Sequence, residues 1–518
     1  MKKTSFLAFF NLFILNIFCA AQPLLTLSEL EKAPNNPSVE LAIAQGEKGL
    51  KISLYSPSET FSDRIGLVKN LQILYANRLY LKYLPPSLAQ NSQLQWLELR
   101  FNWISNLPEF MGDFPHLQRL DLRNNWFEKM PQMLFRLPKI AYLDISENKI
   151  DTIQNNLLNW LNLTHLDISN NKLTQIPDSL GKLNNLFFLD FSHNKLEKLP
   201  KNLAGLKNLV YLDIGFNPLK DTGKIGQNLA HFSLLEHLGL GGLGLKKLPD
   251  TLFLLKNLSA LYLNGNKLER ISTKVGNLRR LRRLDLSDNF LDSLPHSLGR
   301  LDSLEWLNLE KNGLSVISDS LGRLKRLKIL ILGVNKFAAL PPSLAKLDSL
   351  EELSVQNTLL KTLPIEYKNL KINKLELGFN KVLDQDKTYP IVGQMLNLTH
   401  FSLRACRFKK LSAGVEKLQN ISELDLYDNQ FTELPPNLGK LKRLKILRLG
   451  SNELKTIPTN IGDMEGLELL DLSYNELKTL PEGIFRLKKL KLLIIGGNPL
   501  TKEFLEKLRA ELPNTKIQ

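Results

Sequence analysis

Asparagine recurs every 23 residues along most of this chain, at Asn102, Asn125, Asn148, Asn171, Asn194 and Asn217, then Asn266, Asn289, Asn312 and Asn335, and again at Asn429, Asn452, Asn475 and Asn498. Each closes a line of leucines such as Leu94-x-x-Leu97-x-Leu99-x-x-Asn102, so the repeated unit is a short strand followed by a turn. One such unit cannot bury its apolar face alone, and stacking on its neighbours supplies the missing partner. The period therefore selects a solenoid over a globule. A length of 518 residues would otherwise suggest several domains, but a solenoid grows by stacking and one elongated domain is expected.

With the asparagine taken as position 9, Leu79, Leu243, Thr358, Asn380 and Cys406 fill the gaps and give 19 clear repeats. A worn copy precedes them, carried by Phe61, Ile65, Gly66 and Val68. The spacing is 26 from Asn217 to Leu243 and from Asn380 to Cys406, and 22 from Thr358 to Asn380. The two long repeats share Gly-Phe-Asn and lie 163 residues apart, which points to a duplicated block of seven repeats. Leu-Pro pairs such as Leu107-Pro108 open a return limb that is mostly irregular or a short helical turn. Both ends differ from the middle. Thr26-x-x-Glu29 is a capping-box signal for a helix ending near Pro34 that covers the first edge. Phe504, Leu505, Leu508 and Leu512 make a helical apolar stripe at the other end. The boundaries expected are a leader at 1–21, an N-terminal cap with the worn repeat at 22–70, the repeats at 71–500 and a C-terminal helical cap at 501–518.

Lys2 and Lys3 precede an apolar run from Phe6 to Phe18, and Cys19-Ala20-Ala21 offers a cleavage site, the pattern of a secretory signal peptide. The run has 13 residues, too short for a bilayer core of about 30 Å. The mature chain is expected to be exported to a periplasm, the cell surface or the medium, monomeric and without a transmembrane segment. Lipidation at Cys19 is the competing reading, and bulky Phe18 disfavours it. Cys406 is the other cysteine, so no intramolecular disulfide forms in the mature chain. The net charge of +16 favours anionic partners as a class, although export argues against nucleic acid.

The pattern L-x-x-L-x-L-x-x-N/C-x-L followed by L-P-x-x-L-G-x-L, nearly continuous from 71 to 500, resembles the leucine-rich repeat proteins. The 23-residue flavour is similar to bacterial exported members and to scribble-type and Ras-binding scaffolds. The resemblance implies an α/β solenoid, a horseshoe with a parallel sheet on its concave face, and function by protein binding. Cys406 stands where that family accepts Cys, so Asn102 through Asn380, Cys406 and Asn429 through Asn498 are expected to form one structural ladder.

Positions 2, 3, 5, 7 and 8 then carry the concave surface. Position 5 supplies Glu98, Asp121, Asp144, Asp167, Asp190 and Asp213, and position 3 supplies Trp96, Tyr142, His165, Phe188, Tyr211 and His237, with Phe101 and Phe216 at position 8. Exposed rings beside acids resemble an interface hot spot, where rings anchor and charges select. The competing reading has the acids satisfied locally by donors such as Ser146, Ser169 and Ser192. Gly239-x-Gly241-x-x-Gly244 matches a dinucleotide fingerprint by letters alone, because leucines hold the repeat register through it. Its glycines Gly239, Gly241 and Gly242 suggest instead a bald patch that a ligand backbone could approach.

Basic segments such as Arg279-Arg280-Leu281-Arg282-Arg283 and Lys488-Lys489-Leu490-Lys491 flank strand entry in the C-terminal half. No catalytic motif, metal-ligand spacing or cofactor fingerprint is found, and no enzyme is expected. The leading expectation is an exported protein-binding scaffold for a basic or amphipathic polypeptide. The alternative is a surface or envelope protein binding anionic polysaccharide or lipid headgroups through a basic edge.

Overall fold

A computed structural model describes residues 24–46, 49–55, 61, 63–153 and 157–518. The leader read at 1–21, with Cys19, lies outside the described residues. The described chain divides into two compact units, one ending at Leu243 and one starting at Gly244.

The first unit opens with α1 (Leu27–Lys32) and α2 (Val39–Ala44). Its strands are β1 (Lys51–Leu54), β2 (Ile73–Ala76), β3 (Trp96–Glu98), β4 (Arg119–Asp121), β5 (Tyr142–Asp144), β6 (His165–Asp167), β7 (Phe188–Asp190), β8 (Tyr211–Asp213) and β9 (His237–Gly239). They pair in parallel and in chain order. A short α3 (Ile225–Leu229) lies between β8 and β9. The second unit repeats the plan from β10 (Ala260–Tyr262) to β21 (Lys516–Ile517), with α4 (Gln385–Val392) and α5 (Lys502–Glu511). The worn first copy therefore has its own strand, β1. Each 26-residue repeat uses its three extra residues for an α-helix, α3 or α4, where the 23-residue repeats place only a 3-10 turn. Those turns follow the Leu-Pro pairs, as at Glu109–Asp113 after Leu107-Pro108.

Apolar residues at positions 1, 4, 6 and 11 build the core: Leu94, Leu97, Leu99 and Ile104 are fully buried, and most of their counterparts along the chain are buried too, Leu81 and Leu500 at the two ends being half-buried. Each contributes about 1.5 to 3 kcal/mol relative to exposure. The turn that follows each strand leaves backbone groups inside, and the asparagine satisfies them. Asn171 Nδ2 donates to the carbonyls of Ile145 (3.0 Å), Ile168 (3.1 Å) and Ser169 (3.2 Å), while its Oδ1 accepts the Ile150 N–H (3.0 Å). The amide thus ties its own turn to the strand and turn of the preceding repeat.

Two departures from asparagine keep this function by other means. Thr358 donates its hydroxyl to Asn380 Oδ1 (2.7 Å) and accepts the Leu360 N–H (3.3 Å), relaying a bond that the shorter repeat would otherwise lose. Cys406 donates its thiol to the Leu377 carbonyl at 3.4 Å. Burial pushes that thiol up to about 12, which keeps it protonated and a donor.

The ends are closed by more than the expected helices. Thr26 Oγ1 accepts the Glu29 N–H (3.3 Å) and the Glu29 carboxylate accepts the Thr26 N–H (2.8 Å), completing the capping box of α1. Leu30 of α1 packs on Ile73 and Trp96, so this helix covers the outward side of β2 and β3. The edge of β1 is met by Asn36, in a parallel bridge with Ile52. At the other end β21 adds a strand beside β20 (Leu492–Ile494) after α5, too short to announce itself in sequence.

Asn171→Ala removes four hydrogen bonds; the carbonyls keep the Asn148, Asn194 and Glu147 donors, but the buried Ile150 N–H loses its acceptor, and we expect a cost of about 1 to 3 kcal/mol. A urea titration followed by circular dichroism would show the lowered midpoint, and an unchanged midpoint would remove the ladder from the account.

Candidate functional site

Strand alternation sends position 4 into the core and positions 3 and 5 to the opposite, outward side of the sheet. The register places Trp96 opposite Arg119 opposite Tyr142, so like positions of successive repeats stand in columns. Parallel strands lie about 4.8 Å apart, close enough that flat side chains in one column must stack.

In the first unit position 3 does so over seven strands, β3 to β9. The Arg119 guanidinium lies 4.6 Å from the Trp96 ring centre and 3.6 Å from that of Tyr142. Tyr142 stacks on His165 at 4.0 Å, His165 on Phe188 at 3.9 Å, Phe188 on Tyr211 at 4.2 Å, and Tyr211 faces His237 at 5.7 Å. A second stack joins His193 and Phe216 at 4.2 Å. The rings therefore cover one another, which corrects the expectation of exposed anchors: Trp96, Tyr142 and His165 are each only 8% exposed, Trp96 being further covered by α1. Phe188, Tyr211 and His237 are half-buried and Phe216 is 39% exposed, so the column opens at β7 to β9. At the far end Phe101 is half-buried beneath the Arg78 guanidinium, 4.7 Å away. Sequence reading missed Arg119, although its register position was the signal.

Beside the rings, position 5 brings Glu98, Asp121, Asp144, Asp167, Asp190 and Asp213 into register. All but half-buried Asp213 are buried. Each aspartate anchors Oδ1 on its own turn. Asp144 accepts the Ser146 N–H and hydroxyl (3.0 and 2.6 Å), Asp167 those of Ser169 (3.0 and 2.7 Å) and Asp190 those of Ser192 (3.0 and 2.7 Å). Asp121 accepts the Arg123 N–H and Asp213 the Gly215 N–H. Cations reach the N-terminal part of the column: Arg100 is 2.7 Å from Glu98, and Arg123 is 3.8 Å from Asp121 and 3.9 Å from Asp144. Among the described residues none lies within ion-pair distance of Asp167. Burial, and then the charges of Asp144 and Glu98, push the Asp121 carboxyl up to about 7. Burial and the charges of Asp144 and Asp190 hold Asp167 well above the usual carboxylate range, against the donors of Ser169.

The glycine patch is not bald. A Cβ on Gly239 would fall 2.1 Å from Cγ of Asp213, so the aspartate already fills that space. One on Gly242 would fall 2.4 Å from the Phe216 ring, and Gly242 adopts φ +61, a left-handed conformation that glycine adopts without steric cost. Position 8 is left-handed in the other repeats too, from Phe101 (φ 58) to Phe216 (φ 54), a constraint the sequence pattern did not disclose.

The second unit carries no such columns. Part of its outward face carries ion pairs instead: Lys374 with Glu352 of the neighbouring strand (3.0 Å) and with Glu376 of its own (2.7 Å), and Glu423 across strands with His400 (3.3 Å) and Arg448. The basic segments are partly neutralised as well: Arg282 meets Glu305 at 2.7 Å, Lys325 meets Asp348 at 3.1 Å and Lys491 meets Glu468 at 2.6 Å. Among the described residues no cluster of three or more His, Cys, Asp or Glu is placed to hold a metal ion, and no helix is long and apolar enough to cross a membrane.

Family profiles described as a leucine-rich repeat region match residues 269–384, and leucine-rich repeat profiles match 161–219, 420–441 and 442–500. The sequence matches no curated protein. Among solved structures, a leucine-rich repeat protein of Leptospira interrogans is 27% identical, over 94% of this chain and 99% of its own, with a TM-score of 0.43. The plant peptide hormone receptor RGFR1, in complex with RGF2, is 23% identical over 93% and 79%, with a TM-score of 0.59. The ectodomain of the receptor kinase GASSHO1/SCHENGEN3 from Arabidopsis thaliana, in complex with Casparian strip integrity factor 2, is 24% identical over 92% and 68%, with a TM-score of 0.53.

The raised carboxyls make stability depend on pH with a definite sign. Between an unfolded value of about 3.9 and the folded values, the native chain holds protons that the unfolded chain has released. Their contribution is complete below about pH 4 and, for Asp121, is lost as pH rises through about 7, at about 1.4 kcal/mol for each pH unit between its unfolded and folded values. Asp167→Asn keeps the Oδ1 acceptor for Ser169 and removes the buried charge. We expect it to raise the thermal midpoint at pH 8 and to flatten the pH dependence. A lower midpoint at pH 8 would contradict the reading.

Proposed function

The chain is a leucine-rich repeat protein, and on that premise we propose that it is a non-enzymatic binding scaffold whose first unit takes a basic or amphipathic polypeptide on its outward face. The observation that carries this is the pair of adjacent columns, rings and carboxyls, held in register from β5 to β8 and open toward β9. Rings of this kind supply contact area at low entropic cost, and acids beside them select for charge. A lysine or arginine side chain of a ligand would bring to Asp167 the charge that Arg100 and Arg123 provide further up the column. The burial of the acids then makes them the floor of the site, with Phe188, Tyr211, His237 and Phe216 as its accessible part. The solved peptide hormone receptor complex supports a peptide as the partner class. Export by the N-terminal leader and a monomeric state belong to the same proposal.

Reversal of the buried aspartates to lysine would endanger the fold, so the rings are the better test. We expect peptides enriched from a displayed random library on the immobilised protein to carry clustered Lys and Arg, and Phe188→Ala with Tyr211→Ala to weaken them at least about tenfold, about 1.4 kcal/mol. Tyr474→Ala, in the second unit, should leave binding unchanged. Enrichment of acidic peptides, or binding indifferent to the double ring variant, would overturn the placement.

A further inference from the structure

A second group of aromatic rings stands outside the outward face, at position 10, the residue after the ladder asparagine. Tyr80, Trp103 and Trp126 occupy it in successive repeats, where the next three repeats carry Lys149, Lys172 and Lys195. These rings are 55%, 38% and 48% exposed, so the core does not account for them. Tyr80 lies 4.8 Å from Trp103, and Trp103 stacks on Trp126 at 5.7 Å with planes 18° apart. The stack ends on Trp126, with Lys149 Nζ 5.9 Å from its ring.

Trp126 forms part of the wall of a cleft of about 670 Å³, lined also by Asn106, Glu109, Glu128, Gln132 and Lys149. Its polar groups are not used up on one another. Asn106 accepts the Leu107 N–H with Oδ1 (3.0 Å), and its NH2 group has no partner among the described residues. Gln132 donates Nε2 to the Met130 carbonyl (3.1 Å) and keeps Oε1. The Glu128 carboxylate has no hydrogen-bond or ion-pair partner among the described residues, while Glu109 pairs with Arg136 at 3.2 Å.

With the flexible Lys149 side chain swung aside, the indole face it overhangs, ringed by carboxamides and a carboxylate, matches a sugar ring, which offers C–H bonds on its face and donor–acceptor hydroxyls at its rim. A proline-rich peptide fits less well. Gripping a proline between rings needs a separation of about 7 Å, twice a carbon contact distance, and Trp103 and Trp126 are closed to 5.7 Å. We propose that this cleft is a carbohydrate site, with Trp126 stacking on one pyranose unit of a glycan and Asn106, Glu128 and Gln132 bonding its hydroxyls. The site is separate from the ring and carboxyl columns, and its ligand is of a different class.

The test is calorimetric titration of the full chain with cellohexaose, chitohexaose, mannohexaose and hexagalacturonate, with decaproline as the peptide control. At least one oligosaccharide is expected to bind, and Trp126→Ala to weaken it at least about tenfold. Trp126→Phe should recover part of the loss and Gln132→Ala should give a smaller one, while the thermal midpoint stays unchanged because the ring is half exposed. Phe188→Ala, on the other face, should leave sugar binding intact, which separates this proposal from the peptide site. The proposal is overturned by silence from all four sugars, by binding that Trp126→Ala leaves unchanged, by hexagalacturonate binding that salt abolishes and Trp126→Ala does not, or by decaproline taking the cleft instead.

Discussion

The structure depends on one carboxamide, repeated in 15 of the 19 repeats. At Asn171 it donates to carbonyls of its own turn and of the preceding strand, and it accepts an N–H from the preceding turn. A strand of three residues has few ladder bonds of its own, so the amide supplies much of what fixes its turn. Because its reach is the same in each repeat, it also fixes the register. Thr358 and Cys406 show that the requirement is chemical: a hydroxyl that relays, or a thiol kept protonated by burial, can stand in where the spacing changes.

Register has consequences on the other side of the sheet. Once like positions stand about 4.8 Å apart, similar side chains meet whether or not they attract. For rings the result is favourable, and Tyr142, His165, Phe188 and Tyr211 stack with centres near 4 Å. For carboxylates it is not, and Asp121 and Asp167 respond by holding protons that ordinary aspartates release. Arg100, Arg119 and Arg123 relieve the N-terminal part of both columns, while the serines of the following repeats supply dipoles in place of charge. Acids held at such a cost beside rings fit the expectation that perturbed groups gather at functional sites.

The fold was legible in sequence because its determinants are buried in every repeat: 19 leucine-patterned units, 15 of them closed by asparagine, correspond to β2 through β20, and β1 is the worn copy. What the outward face exposes was not legible, since each ring's burial is decided by the side chain of the next repeat and, at Trp96, by a helix more than 60 residues earlier in the chain. Arg119 escaped because rings alone were sought at position 3. Gly239 and Gly242 looked like open ground, yet Asp213 and Phe216 lean into their space. The Trp103 and Trp126 pair lies just past the ladder asparagine, where the repeat pattern assigns no role, so only its exposure marks it.

The central claim is that a cationic ligand brings to Asp167 the counter-charge that no described residue places within ion-pair distance of it. Titration calorimetry of a library-selected basic peptide, run near pH 7 in buffers of different ionisation enthalpy, tests it most directly. Binding is expected to release protons from Asp121 and Asp167, and Asp167→Asn to diminish the release. Binding without proton release, or release that Asp167→Asn leaves untouched, would contradict it.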